Sequence, residues 1–277
     1  MLLWQADELT VTTKINSTPP NSARVWDYWL GGKDNYPADR DAGDKAAEIL
    51  PEIIQAARHD RAFLSRVVRY LADDVGIRQF LDVGAGMPAA VDNTHQVAQR
   101  VAPDARVVYV DHDALVLAHA RALLTGTLEG ACDHIDADAR DVETIVCEAA
   151  RTLDLAQPVA LLLLDILNYI VDDTEAQATV EGLVAALAPG SHVVIAHPTA
   201  SLDGERAYQA MQVVMDMGGA PVTARSPQQI AGFFDGLELL DPGVVSCSRW
   251  RTEPWPPGQP VLQYCGVARV PDREAGR

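Results

Sequence analysis

The sequence predicts an α/β fold: a doubly wound, mostly parallel sheet closed by an antiparallel strand and preceded by a helical N-terminal segment. Three observations lead there. After Gly76, short apolar runs (F-L-D-V-G, R-V-V-Y-V-D, A-L-L-L-L-D and H-V-V-I-A-H) alternate with helix-length segments, as parallel strands buried on both faces and joined by right-handed crossovers do. Near the C-terminus, V-V-S-C-S-R-W and L-Q-Y-C-G-V-A-R-V are joined by a loop without a helix, so they should pair antiparallel. Before Gly76, the apolar spacing is helical.

In chain order, residues 1–20 read as a flexible lead-in closing on Pro19-Pro20. From 21 to 76, Ala46, Ala47, Ile49, Leu50, Ile53 and Ile54 recur at helical spacing, as do Phe63, Leu64, Val67, Val68 and Leu71. A polar turn, L-G-G-K-D-N-Y-P-A-D-R, punctuates this region. Residues 97–101, 115–124, 145–153 and 174–187 are the crossover candidates, and Pro189-Gly190 stops the last of them. The helix expected over 202–217 carries Met211 and Met215 one turn apart, read as core. Ser226-Pro227-Gln228-Gln229 is a capping box with proline at the first helical position, opening a short helix through Phe234. Trp250 and Trp255, with neighbouring prolines, suit a packed loop or an aromatic wall.

The 277 residues suffice for one large domain or a domain with an appendage, and the net charge is −17. Nucleic acid or anionic lipid held by bulk electrostatics would need the opposite balance. Cys132, Cys147, Cys247 and Cys265 are scattered, which fits free thiols better than a stapled scaffold or zinc site. The first ten residues lack a basic n-region, and the apolar run over 159–164 is far too short to span a bilayer. The expectation is a cytoplasmic protein with no membrane partner; self-association stays open.

Candidate site residues gather at the ends of the predicted strands. Asp82-Val83-Gly84-Ala85-Gly86 runs from an apolar strand into G-x-G, where glycines let the backbone approach a ligand. Asp111 ends the next strand, 27 residues after Gly84, where an acid can accept both hydroxyls of a ribose. Asp138-Ala139, in I-D-A-D-A-R-D, follows the next crossover, and either meets an adenine edge or caps a helix. His112, His134, Asp136 and Asp138 match no metal-ligand spacing, so no metal is expected.

These stretches resemble the class I S-adenosylmethionine-dependent methyltransferases. More narrowly, S-A-R-V-W-D-Y-W-L-G-G-K-D-N-Y-P-A-D-R, G-A-G-M-P-A-A-V-D-N-T-H and D-G-L-E-L-L-D-P-G resemble a largely uncharacterised bacterial family of such proteins, over about residues 21–270. The resemblance implies a seven-stranded Rossmann-like methyltransferase sheet with its last strand antiparallel. It divides the chain into a lead-in (1–20), an N-terminal helical cap (21–76) and an S-adenosylmethionine-binding domain (77–277). It implies S-adenosylmethionine as cofactor, held by Asp82, Gly84, Gly86, Asn93, Thr94, Asp111, His112, Asp138 and Ala139. The cap around Trp26, Tyr28, Gly31, Gly32 and Tyr36 would hold a small-molecule acceptor, with His197 nearby.

Two departures bear on chemistry. G-A-G-M-P-A replaces the family's G-T-G-L-P-T and loses two hydroxyls. After the fourth strand, Asn168 stands where the family carries His, and Asp165 enters an apolar position. An amide cannot act as a base, so Asp165, Asn168 and Tyr169 become the catalytic candidates. Asp165 either orients or deprotonates the acceptor or bonds the cofactor amine. Two other functions compete at this level: a non-catalytic S-adenosylmethionine binder, and an NAD(P)-dependent oxidoreductase, because G-A-G-M-P-A also fits G-x-G-x-x-A.

Overall fold

The computed structural model describes residues 17–252 and 258–272. Most of the expected lead-in, and Trp255 with its adjoining prolines, lie outside them. Three helices come first: α1 (Ser22–Trp29), α2 (Pro37–Ile49) and α3 (Glu52–Tyr70). Asn21 caps α1 by accepting from Arg24 N, and Pro37 opens α2 behind a Tyr36–Asp39 capping box. Phe63, Val67 and Leu71 follow one another at helical spacing and are fully buried; each such side chain contributes about 1.5–3 kcal/mol of burial. The helical chain continues through a π-helical turn, Leu71–Val75, and stops at Gly76.

Five strands then run parallel: β1 (Gln79–Val83), β2 (Arg106–Asp111), β3 (Ala131–Asp136), β4 (Ala160–Leu164) and β5 (His192–Pro198). They lie in the order β3-β2-β1-β4-β5, linked by α4 (Thr94–Val101), α5 (Ala114–Leu123), α6 (Val142–Ala149) and α7 (Asp173–Ala185). After α8 (Gly204–Asp216) and α9 (Pro227–Gly232), two short segments, β6 (Glu238–Leu239) and β7 (Val245–Ser246), precede β8 (Gln263–Arg269). β8 pairs antiparallel with β5 along its whole length. Both short segments pair antiparallel with the other edge of β8, β6 at Ala268–Arg269 and β7 at Tyr264–Cys265. They amount to one edge strand interrupted by the turn at Asp241-Pro242-Gly243, and with it the sheet has the expected seven-stranded plan. The capping box at Ser226 opens α9 as expected.

Alternation along the strands divides the interior. Phe80, Val107, Tyr109, Leu162 and Val194 join α3, α4 and Trp250 on one face. Leu81, Val83, Val108, Leu161, Leu163 and Val193 join α6, α7 and α9 on the other. That two-sided burial is why these strands read as unbroken apolar runs. A third cluster joins α1 and α2 to α8 through Val25, Trp29, Ala42, Ala46, Ala207 and Ala210. Trp250 is the packed residue of its loop, edge-on to Phe63 and Tyr70. Among the described residues no helix is long and apolar enough to cross a membrane, and the four cysteines are free thiols.

Candidate active site

The parallel register ends β1, β2 and β3 together, with Val83 beside Val110 and Asp111 beside Asp136. A cavity of about 240 Å³ opens at these carboxyl ends, where doubly wound sheets bind ligands. Its floor is the glycine turn. Gly84 N and Ala85 N both donate to Val110 O, at 2.8 and 3.1 Å, and Gly84 has φ +79°, a left-handed conformation that costs other residues energy. A Cβ on Gly84 would lie 2.7 Å from three side-chain atoms of Ile166, so the turn can be no bulkier.

Asp111 closes the next side. Its Oδ2 accepts from Gly86 N (3.0 Å) and its Oδ1 from Asp113 N (2.9 Å), leaving each oxygen a free lone pair. Burial raises its affinity for a proton, while those backbone donors oppose the rise. Asp82, 5% exposed, accepts from Thr94 Oγ1 at 2.6 Å. Burial pushes it up to about 6, against the pull of Thr94 and the Arg61 charge.

The roof comes from the N-terminal helices. Asp113 caps α5 through Oδ1, and its Oδ2 accepts from Asn21 Nδ2 at 2.9 Å. Asn21 N in turn donates to Asp39, which forms a buried ion pair with Arg24 at 2.8 Å. From α3, Asp60 and Arg61 reach the cavity. Arg61 Nη2 donates to the carbonyls of Val91 and Asp92 and to Asn93 Oδ1, but its buried Nε has no partner among the described residues.

A second, mostly apolar cavity of about 100 Å³ adjoins the first beneath α1 and α8. Ser22, Trp26, Asp165, Tyr169 and Ala220 border both. Asp165 has φ +55°, a left-handed position that aspartate tolerates better than most residues. Its Oδ1 accepts from Gln263 Nε2 at 2.6 Å. Burial, and then the neighbouring Asp60 charge, push Asp165 well above the usual carboxylate range; burial pushes Asp60 up to about 7.

The family model for S-adenosyl methyltransferase matches residues 8–271. The chain belongs to that family. A DUF574 family protein from Streptomyces avermitilis MA-4680 is 36% identical, with a TM-score of 0.88 over 93% of this chain and 100% of that one. A Thermobifida fusca YX protein, whose own assignment as a methyltransferase is provisional, is 37% identical with a TM-score of 0.85, covering 95% of this chain and 99% of that one. No curated protein matches the sequence significantly. This S-adenosyl methyltransferase is therefore an enzyme that uses S-adenosylmethionine, and the nicotinamide reading of G-A-G-M-P-A falls away.

Of the residues singled out in the methyltransferase sequence, Asp82, Gly84, Gly86, Asp111, His112, Ala139, Asp165 and Tyr169 border the first cavity, and Asp165, Asn168 and Tyr169 the second. Asn93 and Thr94 stand behind the wall: Asn93 ties Ala89 and Gln96 together, and Thr94 holds Asp82. Asp138 turns outward to Arg140 Nε and Nη2, bonds that hold its carboxyl at about 2; its neighbours Ala137 and Ala139 border the cavity instead.

Three expected acceptor contacts lie elsewhere. Tyr28 Oη donates to Asp44, and the Tyr36 ring stacks under Arg24. His197, fully buried, accepts from Arg225 Nη1 at Nε2, which puts its proton on Nδ1 facing Pro198 O. Burial lowers His197 to about 4, so it is neutral at pH 7. The Gly31-Gly32 turn is structural: a Cβ on Gly32 would fall on the Asp27 carboxylate, which accepts from Asp34 N and Asn35 Nδ2. Met211, read as core, borders the second cavity, while Met215 does not.

Asp60, Arg61, Asn21 and Gln263 were not singled out by sequence. A signal for Asp60 existed, since it occupies an apolar-stripe position among Ala56, Ala57, Phe63, Leu64 and Val67. A lone charge in such a stripe is worth following to a site.

Proposed function

We propose that the acceptor is a small molecule lodged in the second cavity, methylated by in-line displacement where the two cavities meet. The observation that carries this reading is the common wall of Ser22, Trp26, Asp165, Tyr169 and Ala220. When bound, S-adenosylmethionine supplies a methyl group on a positively charged sulfur, so a good leaving group is already in place. What the chain must add is alignment and the exclusion of water.

The first cavity suits that cofactor. The unpaired, buried Arg61 Nε calls for an anionic acceptor, which a methionine carboxylate provides. Asp111 retains lone pairs for ribose hydroxyls, and Ala137 and Ala139 leave room beside it for a flat base. Asp60, Asp82 and Asp165, whose proton affinity burial raises, give up their protons most readily to a positively charged neighbour, so the cavity favours a cationic ligand. The Asn21–Asp113 bond holds α1 over the opening and limits water entry.

A net charge of −17 argues against a nucleic-acid acceptor, and the apolar wall of the second cavity suits a compact organic body. Met211→Trp tests the reading, because Met211 borders the second cavity but not the first. The expected result is unchanged affinity for S-adenosylhomocysteine with loss of labelled-methyl transfer to a small-molecule extract. Full transfer by the variant would overturn it.

A further inference from the structure

We infer that the acceptor is a small apolar amine, its nitrogen received by the Asp165 carboxylate and by Asn168 Oδ1 in the second cavity. This rests on the reading of that cavity as the acceptor site. Asn168 is 3% exposed and borders the cavity; its side chain bonds Tyr169, while its Oδ1 is buried without a partner among the described residues. A buried acceptor left unpaired is destabilising, so the side chain is built for a donor that arrives with the ligand. Asp165, at the junction, has one observed side-chain donor, Gln263, and can accept more.

Two acceptors facing one small apolar space select the ligand's chemistry. An amine nitrogen brings two or three N–H donors, a hydroxyl only one, and a carboxylate or phosphate none. Charge points the same way. No Lys, Arg or His borders the second cavity among the described residues, while Asp165 does, its proton affinity raised by burial and by the nearby Asp60. An anionic ligand would find no cation to pair with, whereas an ammonium restores the ionised Asp165 carboxylate and pairs with it.

The volume limits the rest of the molecule. About 100 Å³ compares with roughly 150 Å³ for an apolar cavity that takes benzene. The lodged part is therefore smaller than a benzene ring, a short branched chain against Val25, Trp29, Leu50, Ala210, Met211 and Val222.

The chemistry balances. With an ammonium beside it the Asp165 carboxyl is ionised, and because burial and Asp60 make it a better proton acceptor than an ordinary aspartate, one ammonium proton passes to it. The freed nitrogen lone pair forms the N–C bond as the cofactor's C–S bond breaks, its electron pair staying on sulfur. The product is a methylated ammonium, and Asp165 releases the proton it took to solvent.

The test uses the full chain saturated with S-adenosylhomocysteine and two matched pairs of probes: isobutylamine with isobutanol, and isopentylamine with isopentanol. Binding is measured by calorimetry or ligand-observed NMR. The amines are expected to bind at least ten-fold more tightly than the alcohols. Asp165→Asn, of nearly the same shape, should erase that preference while changing S-adenosylhomocysteine affinity less than three-fold. Alcohols binding as well as amines, or neither class binding, would overturn the amine assignment. So would a loss of S-adenosylhomocysteine affinity beyond ten-fold in Asp165→Asn, since the carboxylate would then serve the cofactor's own amine. The Met211→Trp result separates these outcomes from failure of the cavity reading itself: transfer lost there with an amine preference absent here sinks only the amine.

Discussion

Replacing Gly84 by alanine should injure both stability and cofactor binding, and the structure gives the size of each part. At φ +79° a Cβ costs about 1–2 kcal/mol of backbone strain. The same Cβ would lie 2.7 Å from Cβ, Cγ1 and Cδ1 of Ile166, an overpacking worth about 1–3 kcal/mol. Together these give about 2–5 kcal/mol, or roughly 3–9 °C in Tm for a chain of this length. Gly86→Ala is the control: it has φ +65° but nothing within 4 Å of the added atom, so it should lose only the backbone part, about 2–3 °C. Because Ile166 borders the cavity, Gly84→Ala should also weaken S-adenosylhomocysteine at least ten-fold. Adding Ile166→Ala removes two of the three contacts and should restore part of the stability, as coupled neighbours do. Calorimetry and thermal melts on the four proteins decide the matter. Equal melting temperatures for Gly84→Ala and Gly86→Ala would refute the steric argument.

Three other outcomes follow from single residues. Arg61→Gln removes a charged donor and should weaken S-adenosylhomocysteine by about 1.5–3 kcal/mol, roughly 10- to 150-fold, with little change for adenosine; an equal loss for both ligands would contradict a carboxylate role. Arg225, 2% exposed, donates to Leu167 O, Ile170 O, His197 and Asp173, pinning the turn that carries Asn168 and Tyr169. Arg225→Met should destabilise by about 3–5 kcal/mol, and Arg225→Lys, lacking the planar fork, should not restore the melt. For Asp82, a pKa raised from 3.8 to about 6 means the folded state binds the proton more tightly than the unfolded chain. Its contribution is therefore favourable at low pH and lost as pH rises from about 4 to about 6. Asp82→Asn should gain on the wild type by about 2 kcal/mol between pH 4 and pH 8 in urea melts; a constant difference would exclude the raised pKa.

The sheet was legible because its strands are buried on both faces and so advertise themselves as uninterrupted apolar runs. Asp82 and Asp111 stood out for the same reason, as acids within or ending such runs. Half of the edge strand was legible too: V-V-S-C-S-R-W pairs antiparallel with β8 through Val245–Ser246, as expected, whereas Glu238–Leu239, cut off by the turn at Asp241-Pro242-Gly243, is a two-residue piece whose partner is set by β8. Tyr28 and Tyr36 suggested an acceptor wall from their place in the N-terminal motif, yet their partners, Asp44 and Arg24, were chosen by how α1 folds against α2. His197 was taken up by Arg225, 28 residues further along the chain, a pairing no local pattern encodes. Met211 reads as core because an apolar cavity and a packed interior are lined by the same residue types. Asn168 was conspicuous as a departure from the family's histidine, but only its unpaired Oδ1 gives that departure a chemical meaning.

The most direct measurement is a crystal structure with S-adenosylhomocysteine. The account predicts ribose hydroxyls within hydrogen-bond distance of the Asp111 carboxylate, the amino-acid carboxylate on Arg61, and the sulfur facing the opening between Asp165 and Tyr169. An adenosyl group bound away from Asp111, or a sulfur pointing away from the second cavity, would contradict it.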